Sequence, residues 1–126
     1  MVSKIAKRKA AQHCAVLPWV SAKADCREPK FLQIGVSLFE HPAFQALTPA
    51  QRYLHLAMCQ DAAGQREFEF PHSRFAHYGI SNATARRSID ALISAGFILR
   101  EYSGKISRDE NRYRFSLAWK LEDTPD

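Results

Sequence analysis

The residues of this chain best suited to chemistry are Arg86 and Arg87, together with Ser81, Asn82, Ala83 and Thr84 just ahead of them. A guanidinium fork fits the paired acceptors of a guanine edge, a hydroxyl fits several base edges, and a small Ala lets another surface come close. The chemistry available is recognition by hydrogen bonds and charge, with no bond made or broken. A surface helix carrying solvated arginines would use the same residues, so the flanking elements must decide.

The local pattern places these groups on a helix. Gly79 suits the positive φ of a tight turn, and Ser81 stands where an N-cap belongs. Ala85, Ile89, Leu92 and Ile93 then recur at helical spacing and form one apolar stripe. With Ile89 at the stripe's centre and steps of roughly 100° per residue, Arg87, Thr84 and Ala83 fall within roughly 60° of the outermost line. Arg86 lies on the flank. Ala95-Gly96 closes the helix, with Gly96 as the C′ residue.

Other chemistries find little support. There is no paired-carboxylate motif, no nucleophile elbow and no phosphate-cradling glycine loop. Cys14, Cys26 and Cys59 are widely spaced and give no zinc pattern, so they read as reduced cytosolic thiols, with Cys59 on a buried helical face. The five histidines, at positions 13, 41, 55, 72 and 77, form no ligand or triad pattern and read as surface or partly packed. The expectation is a non-enzyme without metal, cofactor or small-molecule ligand. No apolar run is long enough to span a membrane, and a signal peptide is not expected, which points to the cytoplasm.

The formal net charge is +5 over 126 residues, and its distribution is uneven. Residues 1–30 hold seven Lys or Arg and two acids, a balance of +5, so residues 31–126 balance to zero. Within the latter, Gly79–Arg114 carries +3 and both flanks are slightly acidic. Residues 1–30 are expected to form a basic extension, flexible or weakly helical, whose Lys4, Lys7, Arg8 and Lys9 could track phosphates. Residues 121–126 are expected to be an acidic tail.

Between these ends the order of elements is legible. Phe31–Ile34 reads as a strand or extended piece, and Leu38-Phe39, Phe44 and Leu47 as buried anchors around His41-Pro42. Thr48-Pro49-Ala50-Gln51 opens a helix running to about Ala62, with Tyr53, Leu54, Leu56, Ala57 and Met58 making it apolar around much of its girth; Gly64 breaks it. Glu67–Phe70 alternates as a short strand. Arg74–Tyr78 is a short helix with Phe75 and Ala76 inward, followed by the Gly79 turn and the arginine-bearing helix. Phe97–Tyr102 and Arg112–Trp119 read as two strands joined by the polar loop 103–111, with Tyr113, Phe115, Leu117 and Trp119 on one face.

Helix, strand, helix, turn, helix and hairpin resembles the winged helix-turn-helix family of DNA-binding domains. The resemblance is carried by Phe75-Ala76, Gly79-Ile80-Ser81, Thr84-Ala85, Arg87, Leu92, Ala95–Ile98 and Tyr113-Arg114-Phe115, and covers roughly residues 48–120. The Phe31–Leu47 lead-in looks like that of plasmid and other mobile-element members. The resemblance implies an α+β, mainly helical domain over residues 31–120: a three-helix core, a short strand and a C-terminal β-hairpin wing. It implies that Ser81, Asn82, Ala83, Thr84, Arg86 and Arg87 lie in or beside the major groove of double-stranded DNA, with Arg87, Asn82 and Thr84 selecting bases. Lys105, Arg108 and Arg112 of the wing would meet the backbone or the minor groove. The function implied is sequence-selective DNA binding by a regulator or accessory factor of a mobile element, with a homodimer as one expected assembly; the alternatives are a protein-binding winged helix or a replication-initiator-like DNA binder.

Overall fold

The computed structural model describes Leu17, Trp19, Glu28, residues 30–101 and residues 111–121. The chain divides into two units, Met1–Gln33 and Ile34–Asp126. In the first, Leu17 and Trp19 are exposed, and residues 30–33 have no regular structure, so the strand considered for Phe31–Ile34 does not form. The second unit is α+β.

It opens with two single-turn helices, α1 (Val36–Phe39) and α2 (Pro42–Gln45). Pro42 is pre-set for the first turn of α2, and the Nδ1 of His41 accepts the Ala43 N–H at 3.0 Å as its cap. Phe44 and Leu47 are buried as expected, but Phe39 is 60% exposed and Leu38 only partly buried. Four residues are too few for periodicity to distinguish the two sides of a helix.

The long helix α3 (Pro49–Ala62) begins with a full capping box: Thr48 Oγ1 accepts the Gln51 N–H, and Gln51 Oε1 accepts the Thr48 N–H. It ends on Ala63 in the left-handed region, just before Gly64. Leu54, Ala57, Met58 and Ala62 are buried. Tyr53, expected among the apolar girth, is half exposed because its hydroxyl reaches out to donate to the Tyr78 carbonyl at 3.0 Å. His55 is the opposite correction. It is buried in a ring of Phe44, Phe97 and Phe115, and burial pushes its pKa down to about 4.

Strand β1 (Glu67–Glu69) buries Phe68 and leaves both glutamates out. Helix α4 (His72–His77) buries Phe75, but Ala76, expected inward, is exposed. Asp61 ties α4 to the end of α3 by accepting both Arg74 N–H groups and the Tyr78 hydroxyl. Those partners, Arg74 foremost, hold the Asp61 carboxyl below the usual carboxylate range.

Helix α5 (Asn82–Ser94) buries Ala85, Ser88, Ile89 and Leu92 against α3. It ends in a Schellman motif, with Phe97 N–H on the Leu92 carbonyl and Gly96 N–H on the Ile93 carbonyl. Gly96 has φ +84°, and a Cβ there would lie 2.9 Å from that of Ala118, so the position is closed to other residues twice over.

Strands β2 (Ile98–Arg100) and β3 (Arg112–Phe115) complete an antiparallel sheet of order β1-β3-β2. The second hairpin strand is shorter than its alternation suggested. After Phe115 the chain turns into α6 (Ala118–Leu121), capped by Ser116 Oγ on the Ala118 N–H. Leu117 is therefore exposed, whereas Trp119 reaches the core by the helical turn, stacked on Phe97 at 5.3 Å. The physical cause is a lack of partners: Phe115 already pairs with Ile98, the first residue of β2, and Arg114 with Glu67, the first of β1.

Candidate functional site

Construction of the site begins at the turn. Gly79 takes φ +72°, its N–H bonds the Ala76 carbonyl, and the Ile80 N–H bonds the Phe75 carbonyl. That compact reversal presents Ser81 as the N-cap of α5. Ser81 Oγ accepts the Thr84 N–H at 3.2 Å, while its hydroxyl hydrogen is directed to Thr84 Oγ1 at 3.0 Å. The Ser81 hydroxyl is thus used in holding the helix start, and Thr84 keeps its own O–H to donate.

Ser81, Asn82, Ala83, Arg86 and Arg87 are exposed and Thr84 half-buried at the N-terminal end of α5, with Ala83, Thr84 and Arg87 on the side away from Ala85, Ile89 and Leu92 and Arg86 on the flank. The six expected residues therefore share one helix end. Asn82 and Arg87 side chains make no hydrogen bond or ion pair with the described residues. Cys59, by contrast, is half-buried 3.8 Å from the His55 ring, and burial pushes its thiol up to about 11, which disfavours the thiolate.

Arg86 leans from the flank of α5 towards α4, where its Nη2 lies 3.0 Å from His72 Nε2. The two residues stand at the edge of a cleft of about 580 Å³ that also takes in Ser73, Asp90, Arg100 and Asn111. Phe75, Ile89 and Tyr113, all buried, also line it. Arg100 reaches the cleft because it pairs with Tyr113 and so projects from the core face of β2, its guanidinium 5.6 Å from the Tyr113 ring centre. None of His72, Ser73, Arg100 and Asn111 was singled out by spacing. Their convergence depends on how α4 and the hairpin pack, for which the sequence carries no local signal.

The wing residues divide. Lys105 and Arg108 lie outside the described residues, as do Lys4, Lys7, Arg8 and Lys9. Arg112 is on the outer face of β3, with Nη1 4.0 Å from Glu69, so it is not part of the cluster on α5. On the same face Arg114 bonds Glu67 at 2.8 Å and Glu101 at 2.9 Å.

Among the described residues no group of three His, Cys, Asp or Glu side chains could hold a metal ion, and no helix is long and apolar enough to cross a membrane. Comparison with protein-family models, with curated proteins and with solved structures finds no match to this chain.

Proposed function

We propose that this chain is a winged helix-turn-helix protein that binds double-stranded DNA without catalysis, with α5 entering the major groove. The regulatory or mobile-element role implied by the resemblance belongs to the same proposal. The observation that carries it is the division of α5 into a buried stripe and an exposed N-terminal end bearing Asn82, Thr84, Arg86 and Arg87, projected by a tight turn. The sheet order β1-β3-β2 supports a hairpin standing beside that helix, as a wing would. In this reading Arg87 and Asn82 select bases, and phosphate contacts set the register.

Selection from random duplexes tests the proposal directly. A recovered consensus that loses one position in an Arg87→Ala variant supports it; recovery of no enriched sequence from the folded protein overturns it. A protein-binding winged helix is the second reading, favoured by the outer sheet face, where arginines and glutamates are matched. Salt dependence separates the two: a DNA binder holds arbitrary duplex at low salt and releases it steeply as salt rises.

A further inference from the structure

We propose that the free edge of β1 takes up an extended segment of a partner protein as a fourth strand, one with lysine or arginine at every second position. The hydrogen-bond phase of the sheet leaves that edge open. Phe115 N–H donates to the Arg66 carbonyl and Phe70 N–H to the Asn111 carbonyl, so Arg66, Phe68 and Phe70 turn their backbone groups towards β3. Glu67 and Glu69, between them, turn theirs the other way. Both residues are exposed, and their backbone N–H and C=O groups meet no partner among the described residues. Unpaired donors and acceptors in a row are the template that an added strand requires.

Charge identifies the occupant. Across the outer face of the sheet the side chains alternate in sign: Glu101 after β2, Arg114 on β3 and Glu67 on β1, with contacts of 2.9 and 2.8 Å. Arg112 and Glu69 repeat the last step at 4.0 Å. The face is balanced as a whole, but its outermost column is acidic, and the Glu69 side chain is 68% exposed. A strand laid against β1 would set alternate side chains opposite Glu67 and Glu69, and cations there continue the ladder. The residue between them would fall on the core side beside Phe68, where an apolar side chain fits. A second copy of β1 does not meet these conditions. Laid antiparallel about Phe68, it would put Glu67 opposite Glu69 twice, and both pairs repel.

The site stands apart from the DNA reading, because no residue of α5 takes part. A strand as short as β1 offers few main-chain bonds, so the segment binds weakly on its own and less tightly as salt rises.

The test is a titration of the full-length, 15N-labelled protein with a short peptide that alternates lysine with valine, followed by amide shifts and hydrogen exchange. The Glu67 and Glu69 amides should exchange quickly in the free protein, then shift saturably and become protected as peptide binds. The same peptide with glutamate for lysine should not bind. Nor should the lysine peptide N-methylated at each lysine, which keeps its charge but cannot donate to the Glu67 and Glu69 carbonyls. Glu69→Lys should weaken the lysine peptide by about tenfold, since opposite charges become like ones. Glu69 meets Arg112 only at 4.0 Å, so this variant leaves the fold intact, as its amide spectrum will show. Equal binding of the N-methylated peptide means attraction without strand addition and overturns the proposal, as does equal affinity in Glu69→Lys. Protection of the two amides in the free protein also overturns it: constant protection means that the chain covers its own edge, and protection rising with concentration means that a second copy does. Failure of the lysine peptide to bind overturns it outright and leaves the DNA reading, tested on duplex, untouched.

Discussion

Two arginine-bearing surfaces of this domain differ in what surrounds their charges. On the outer face of the sheet, Arg112 and Arg114 stand opposite Glu69 and Glu67 in the strand register, and Glu101 adds a second carboxylate to Arg114. On α5, Arg86 has the His72 imidazole and no carboxylate for a partner among the described residues, and Arg87 has no partner among them. Residue type alone would rank the four alike. Their neighbours give the sheet face almost no net field and leave α5 with a positive end. Alternation along β1 and β3 produces the first outcome, because residues two apart share a face and each strand repeats one sign.

The comparison depends on how α5 is phased, and the largest expected effect tests that. Ile89→Ala should destabilise the fold by roughly 2–5 kcal/mol, since Ile89 lies at the centre of the buried stripe. Urea unfolding measures it. A stability equal to that of the parent would mean the helix is turned differently, and Arg87 would lose its outward position.

Acid unfolding asks whether the sheet pairs or the core govern stability. His55 has a folded pKa near 4 against an ordinary value of 6.5, so the unfolded chain binds the extra proton between those values. Stability should therefore fall as pH drops from about 6.5 to about 4, by about 3 kcal/mol in all, at 1.36 kcal/mol per unit. Glu67 titrates lower: its carboxyl is held down by the Arg114 hydrogen bond, so any contribution is lost only as pH falls below the usual glutamate range. Unfolding free energies at several pH values, repeated in His55→Leu, separate the two. A loss that begins only in the carboxylate range would shift the weight to the carboxylate pairs, Asp61 with Arg74 as well as Glu67 with Arg114.

How far the sequence disclosed this arrangement depends on the range of the signals. Helices α3 and α5 were legible because their caps are local: Thr48 with Gln51, Ser81 with Thr84, and Gly96 after the last turn. The end of β3 was not. Alternation through Leu117 and Trp119 continues past the point where β1 and β2 supply partners, and only the sheet determines where they stop. His55 was hidden for a related reason, since its aromatic surroundings come from α2, the end of α5 and β3. At the site, the exposed end of α5 followed from helical phase. The cleft beside it did not, because His72 and Arg86 meet although they stand 14 positions apart in the chain.

If α5 reads bases, Arg87→Ala should cost roughly 1–3 kcal/mol on the preferred duplex and relax selectivity at one position. Competition binding against single-base variants measures both. An unchanged preference removes Arg87 from base readout while leaving phosphate contacts untouched.

The smallest expected effect is the most direct test of the difference between the two surfaces. Arg114→Ala removes one positive charge, as Arg87→Ala does, but it removes a charge that Glu67 and Glu101 already balance. Exposed pairs of this kind contribute little to stability, because water screens them and the side chains lose freedom in forming them. The melting temperature should therefore stay close to that of the parent. The salt slope of DNA binding should also stay the same, since a guanidinium held by two carboxylates releases no counterion from a phosphate. Titrations of both variants at several salt concentrations make the comparison. A shallower slope for Arg114→Ala would mean that the sheet face meets DNA and that its glutamates give way to phosphate on binding. The arginines of the sheet would then be held in reserve for the backbone, and the distinction between the two surfaces would describe only the unbound protein.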